Sequence, residues 1–178
     1  MNKTIIWLED NPALVTEYRK LFVDNEFNIV IWDGAFDALS GESGGEKCLR
    51  HFSAAVEANR KNSSDVIAFI LDVRIPVPSL ETLADLAEGT DSKRYFKRII
   101  TKGGLLTGIL VADYYLRNKI GNSPIGDLFK DKPILLLSVA GQLDKEYPDL
   151  PKDFRVIEKT SPTCCDEILA WIDIIKFT

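Results

Sequence analysis

A single histidine, His51, is all the imidazole this 178-residue chain contains, and its three cysteines, Cys48, Cys164 and Cys165, form no CxxC pair. A structural zinc site needs Cys and His at short intervals, and with one histidine and no CxxC such a site is not the expectation. Vicinal cysteines rarely bridge each other, so no disulfide framework is expected; reduced thiols of a cytoplasmic protein are. Basic runs are absent too. Lysine and arginine number 22 against 27 acids, giving a net charge of −5, and the electrostatic footprint of a nucleic-acid binder is missing. No apolar stretch approaches the ~20 residues of a membrane span. The start, Met1-Asn2-Lys3-Thr4, runs directly into a strand without the apolar core of a signal peptide.

What the chain does have is a regular alternation of apolar runs and helical stripes. At this length roughly 70% of the unfolded surface can be buried, so a core needs no covalent staple. Thr4–Leu8, Asn28–Trp32, Val66–Asp72, Pro133–Ser138 and Phe154–Lys159 read as near-continuous apolar strands, the pattern of a parallel sheet covered on both faces. Between them, Leu14, Tyr18, Leu21 and Phe22 share one helical face, with Asp10 and Asn11 as candidate caps before Pro12. Leu49, Phe52 and Val56 make a second stripe, Leu105, Ile109, Ala112 and Leu116 a third, and Cys165, Ile168, Leu169, Ile172 and Ile175 the last. The expected fold is α/β, a doubly wound five-stranded parallel sheet ordered 2-1-3-4-5, in one domain over residues 1–178. Two regions break the rhythm. Leu39 to Lys47, with Gly41, Gly44 and Gly45, reads as a flexible loop. Residues 77–102 are far longer than an ordinary βα connection, and the helical spacing of Leu80, Leu83, Ala84 and Ala87 marks a helical insertion there. After Ser138, Pro148 and Pro151 leave room for barely two helical turns.

Chemistry-bearing residues stand at the strand ends: Glu9-Asp10 after the first, Asp72 at the third, Ser138 at the fourth and Lys159 at the fifth. In a parallel α/β sheet, ligands bind beyond the carboxyl ends of the strands, and strands one and three are neighbours in this order. A carboxylate attacking a phosphoryl group faces charge repulsion, which a divalent metal relieves. Mg²⁺ takes oxygen ligands, often one or two carboxylates, and Asp10 and Asp72 can supply them. A lysine can pair with another phosphoryl oxygen as a point charge, and a serine hydroxyl can donate to a third. The bland alternative for Glu9-Asp10 is helix capping, and for His51, Trp7 and Cys164-Cys165 ordinary packing or surface exposure.

With those segments in place, Ile6-Trp7-Leu8-Glu9-Asp10-Asn11, Leu71-Asp72-Val73-Arg74-Ile75-Pro76, Leu136-Leu137-Ser138-Val139-Ala140 and Val156-Ile157-Glu158-Lys159, the chain resembles the receiver domain of two-component response regulators. The resemblance runs from Thr4 to about Lys176, apart from the insertion, and implies a flavodoxin-like receiver fold. It implies Asp72 as phosphoacceptor, Glu9, Asp10, Asp72 and the Arg74 backbone carbonyl as the Mg²⁺ set, Ser138 as switch hydroxyl and Lys159 as the phosphate-pairing lysine. Gly103 or Gly104 resembles the glycine that opens the third helix. Implied partners are a sensor histidine kinase or histidine phosphotransfer protein and an unidentified output protein, with no membrane insertion and no direct nucleic-acid contact. The sequence departs from the family at Thr160, where proline usually follows the lysine, at Val156, where an aromatic is frequent, and at Val139, where a smaller residue is common.

The first functional expectation is a stand-alone receiver, since the chain ends near its last helix, catalysing no more than its own aspartyl phosphorylation and dephosphorylation. The alternative is a receiver-like adaptor, never phosphorylated, that binds a partner through its insertion. An aspartyl-nucleophile phosphatase is disfavoured, because such haloacid-dehalogenase-like enzymes want a second aspartate where Arg74 stands.

Overall fold

A computed structural model describes residues 3–23, 27–32, 44–75, 107–117, 124–139, 143, 150 and 152–176. Five parallel strands, β1 (Lys3–Leu8), β2 (Phe27–Ile31), β3 (Val66–Asp72), β4 (Ile134–Ser138) and β5 (Arg155–Glu158), form one sheet in the order β2-β1-β3-β4-β5. This is the expected order, and strand limits differ from the sequence reading by one residue at most at each end. Pairing runs Leu8 to Leu71, Asp72 to Leu137 and Ser138 to Glu158. The ends of β1, β3, β4 and β5 are therefore level.

Side chains alternate across a strand, and that alternation sorts the core into two layers. Ile6, Leu8, Phe69, Leu71 and Leu136 face helices α2 (Gly44–Ala58), α3 (Thr107–Leu110) and α4 (Pro124–Phe129). Ile5, Trp7, Ile70, Leu135, Leu137 and Ile157 face α1 (Pro12–Val23) and α5 (Cys164–Lys176). The sheet is thus doubly wound. Trp7 is a core residue, its ring 4.6 Å from Tyr18 and edge-on to Phe22 at 5.8 Å. Full burial of a Leu, Ile or Phe stabilises by about 1.5–3 kcal/mol. The central strand β3, in which only Ile67 is even partly exposed, is the main support. Edge strand β5 is the reverse case: of its four residues only Ile157 is fully buried.

Three local features differ from the sequence reading. Helix α2 begins at Gly44, inside the stretch read as a loop. Glycine disfavours a helix by about 1 kcal/mol, but tertiary contacts prevail: Lys47 and Cys48 are buried, and the Cys48 thiol donates to the Glu9 carbonyl at 3.0 Å. Helix α4 was not apparent from periodicity; it is a short helix opened by Pro124, whose missing N–H is tolerated in a first turn. Beyond Leu110, α3 widens into a π-helical stretch, Val111–Leu116, closed by the Arg117 N–H on the Ala112 carbonyl at 2.9 Å. The proposed insertion, 77–102, and Gly103 and Gly104 lie outside the described residues, as do residues 144–149 of the short segment expected after Ser138.

All three cysteines are free, Cys48 and Cys164 buried and Cys165 partly so. His51 is exposed on α2. Among the described residues no helix is long and apolar enough to cross a membrane.

Candidate functional site

Asn11 resolves the capping question. Its Oδ1 accepts the Ala13 N–H at 3.1 Å, making Asn11 the N-cap of α1. Glu9 and Asp10 are thereby released from that duty. Glu9 turns into the protein instead: it is fully buried, and its Oε1 accepts the Asn11 N–H at 3.2 Å.

At the level strand ends the expected residues converge. Glu9, Asp10 and Asp72 each present a carboxylate oxygen within 4.8 Å of the others. The Lys159 Nζ lies 2.6 Å from Asp72 Oδ2 and 2.7 Å from Glu9 Oε2. Asp72 is fixed on its other oxygen as well, where Oδ1 accepts the Arg74 N–H at 3.2 Å. The Arg74 side chain is exposed. Ser138, fully buried, sits one residue past the Leu137 that pairs with Asp72, and its carbonyl accepts the Lys159 N–H at 2.8 Å. Lys159 is thus held by its backbone on β4 and by its side chain on β1 and β3.

Burial dominates the electrostatics. It raises Glu9 from 4.5 to about 7, because the pull of Lys159 does not offset burial plus repulsion from Asp72. Asp10 is raised for the same reasons, burial first and Asp72 second. For Lys159 burial acts downward, yet Glu9 and Asp72 together leave it above its usual value. With all groups ionised, three carboxylates and one ammonium carry a net −2 (−3 + 1), the charge one divalent cation neutralises. Glu9 Oε2 is buried and is held by charge, without a well-directed hydrogen bond. An all-oxygen, acidic donor set with an under-satisfied buried oxygen fits Mg²⁺, whose ligands stand at about 2.1 Å.

One residue that packs on Asp72 was not singled out by sequence reasoning. Gly108, in the first turn of α3, lies against the Asp72–Val73 peptide. A Cβ there would stand 2.2 Å from the Asp72 carbonyl oxygen and 2.8 Å from its carbon. The Gly108 N–H also reaches the Val73 carbonyl at 3.4 Å, and the neighbouring Thr107 hydroxyl donates to the Ile75 carbonyl at 3.1 Å. The available signal was a glycine between the buried positions Thr107 and Ile109, where Gly103 and Gly104 drew attention as a pair.

No protein-family model matches the sequence, and no curated protein matches it either. Similarity appears in three dimensions. The chemotaxis response regulator CheY4 of Vibrio cholerae is similar over 98% of this chain and 99% of its own, with a TM-score of 0.50 and 15% identity. A response regulator receiver protein from Sinorhizobium medicae WSM419 is similar over 98% of this chain and 94% of its own, at a TM-score of 0.47 and 13% identity. The chain has the CheY-like receiver fold, parallel strands ordered 2-1-3-4-5 with helices on both faces.

Proposed function

We propose that this chain is a receiver of two-component phosphotransfer signalling, one domain interrupted by the 77–102 segment, which accepts a phosphoryl group on Asp72. The observation that carries the reading is the Lys159 ammonium within 2.7 Å of both Glu9 and Asp72, beside three clustered carboxylates. Three carboxylates around one ammonium repel one another, an arrangement that a divalent cation relieves and that phosphoryl transfer to a carboxylate uses.

Glu9, Asp10, Asp72 and the Arg74 carbonyl would hold Mg²⁺, which supplies positive charge against the phosphoryl oxygens. Asp72 is oriented for attack by the Arg74 N–H on one oxygen and Lys159 on the other. Its carboxylate attacks phosphorus of a phosphohistidine or a small acyl phosphate, the bond from phosphorus to the leaving group breaks, and an aspartyl phosphate results. Lys159 then exchanges its Asp72 contact for a phosphoryl oxygen. Ser138, at the same edge, donates its hydroxyl to another, which is how acceptor chemistry reaches β4 and β5. A histidine kinase or histidine phosphotransfer protein would supply the group, and output would pass through protein contacts.

The test is a titration with beryllofluoride, followed by amide NMR with and without Mg²⁺. Mg²⁺-dependent shifts at Asp72, Ser138 and Lys159, lost in Asp72→Asn, are expected. Unchanged spectra in the wild type, under conditions that convert a known receiver, would instead favour the unphosphorylated adaptor.

A further inference from the structure

Away from the acidic site, at the far end of α3, Arg117 makes a contact that the proposed chemistry does not use. Its guanidinium pairs with Asp153 and lies over the Phe154 ring, 5.0 Å from the centroid. Phe154 is buried in the core, and the Arg117 Nε is buried without a hydrogen-bond partner among the described residues. Leaving a guanidinium donor unsatisfied is costly, so a surface salt bridge alone is a poor account of this arrangement. Asp153 and Phe154 immediately precede β5, which ends at Lys159.

We infer that Arg117 is a positioning residue for Lys159, acting through β5. This rests on the reading of Lys159 as the phosphoryl-pairing lysine. Edge strand β5 has four residues and among the described residues pairs with β4 alone, so its own ladder is weak. Its finish is held by the Lys159 N–H on Ser138, and its start is held by Arg117. Helix α3 meets the acceptor at its other end, where Gly108 rests on the Asp72 peptide. The helix therefore spans from the backbone of the acceptor to the strand of the lysine. The π-helical stretch between them, with its i→i+5 bond from Arg117 to Ala112, rotates Arg117 away from where an α-helix would place it. Such windings are rare and are often found at functional positions.

The experiment separates this role from ordinary stabilisation. Arg117→Ala and Arg117→Lys are compared with wild type for Mg²⁺ affinity, for the rate of Asp72 labelling by acetyl phosphate at saturating Mg²⁺, and for amide exchange at Ile157 and Lys159. Mg²⁺ binding uses Glu9, Asp10 and Asp72, so it should change less than twofold in Arg117→Ala. The labelling rate should fall at least fivefold, and the β5 amides should exchange at least tenfold faster. Arg117→Lys keeps the charge and should recover part of both. Equal losses of Mg²⁺ affinity and labelling rate, or a labelling rate within twofold of wild type, would overturn the inference. If wild type itself takes no label, the receiver reading fails, while unchanged exchange at β5 in Arg117→Ala would separately refute the positioning role.

Discussion

Substituting Gly108 by alanine sets two effects of known size against each other. In an ordinary helix the change is favourable by about 1 kcal/mol, since alanine loses less backbone entropy. Here the new Cβ would stand 2.2 Å from the Asp72 carbonyl oxygen, 2.8 Å from its carbon and 3.1 Å from Val73 Cα. All three are backbone atoms of the support around β3, which cannot swing aside as a flexible side chain can. Reaching ordinary contact needs about 1 Å of movement, and overpacking costs about 1–3 kcal/mol, with a contact this short against backbone in the upper part of that range, about 2–3 kcal/mol. The clash prevails, with a net loss of about 1–2 kcal/mol. For a chain of this length that lowers the melting temperature by about 2–8 °C. Gly44→Ala is the internal control: its Cβ would meet nothing closer than the Trp32 ring, at 3.9 Å, and should leave stability level or slightly raised. Thermal denaturation of both variants, followed by circular dichroism, decides. A Gly108→Ala protein melting at or above wild type would refute the close approach on which α3 is placed.

Other outcomes follow from the charges and the chain path. Glu9 has a folded pKa of about 7, above its ordinary 4.5, so between those values the folded state binds more protons than the unfolded one. Its destabilising effect is absent below about 4.5 and complete above about 7, so metal-free protein should lose on the order of 3 kcal/mol across that window; Glu9→Gln should flatten the decline in urea denaturation against pH. Lys159→Ala leaves Glu9 and Asp72 without their shared counter-charge, and should cost about 3–5 kcal/mol at pH 8. The cost should be smaller at pH 5, where Glu9 protonates, and Mg²⁺ should restore part of the difference in the same assay. Finally, Thr107 and Ile75 are joined by a 3.1 Å hydrogen bond across the long connection. Replacing residues 77–105 by a short Gly-Ser linker should preserve cooperative unfolding, with shorter loop closure favouring the folded state by about 1 kcal/mol; loss of the thermal transition would contradict this.

The parts of the molecule legible in sequence are those fixed by local chemistry. Runs such as Val66–Leu71 are too uniformly apolar to be anything but covered strands, and each ends in a residue that would be out of place in a core unless it had a partner. That logic located Glu9, Asp10, Asp72, Ser138 and Lys159 at one edge; the side chains of Glu9, Asp10, Asp72 and Lys159 do converge there, and Ser138 ends the adjoining strand. What escaped depends on distant neighbours. Gly44 begins a helix because Cys48 buries itself against the end of β1 and Lys47 is buried beside it in sequence, not because glycine favours one. In the vicinal pair, the deeper residue is Cys164, 3.8 Å from the Tyr18 hydroxyl, rather than the Cys165 that the helical stripe selected. The π-helical winding before Arg117 has no signature in the periodicity of Ile109, Ala112 and Leu116, which are buried here although their spacing is that of an α-helix.

The most direct measurement is intact-mass spectrometry after incubation with acetyl phosphate, in Mg²⁺ and in EDTA, with peptide mapping of the product. The account predicts the gain of a single hydroxylamine-labile phosphoryl group on the peptide containing Asp72, in Mg²⁺ alone, and none in Asp72→Asn. A label on another residue, or the same label in EDTA, would contradict it.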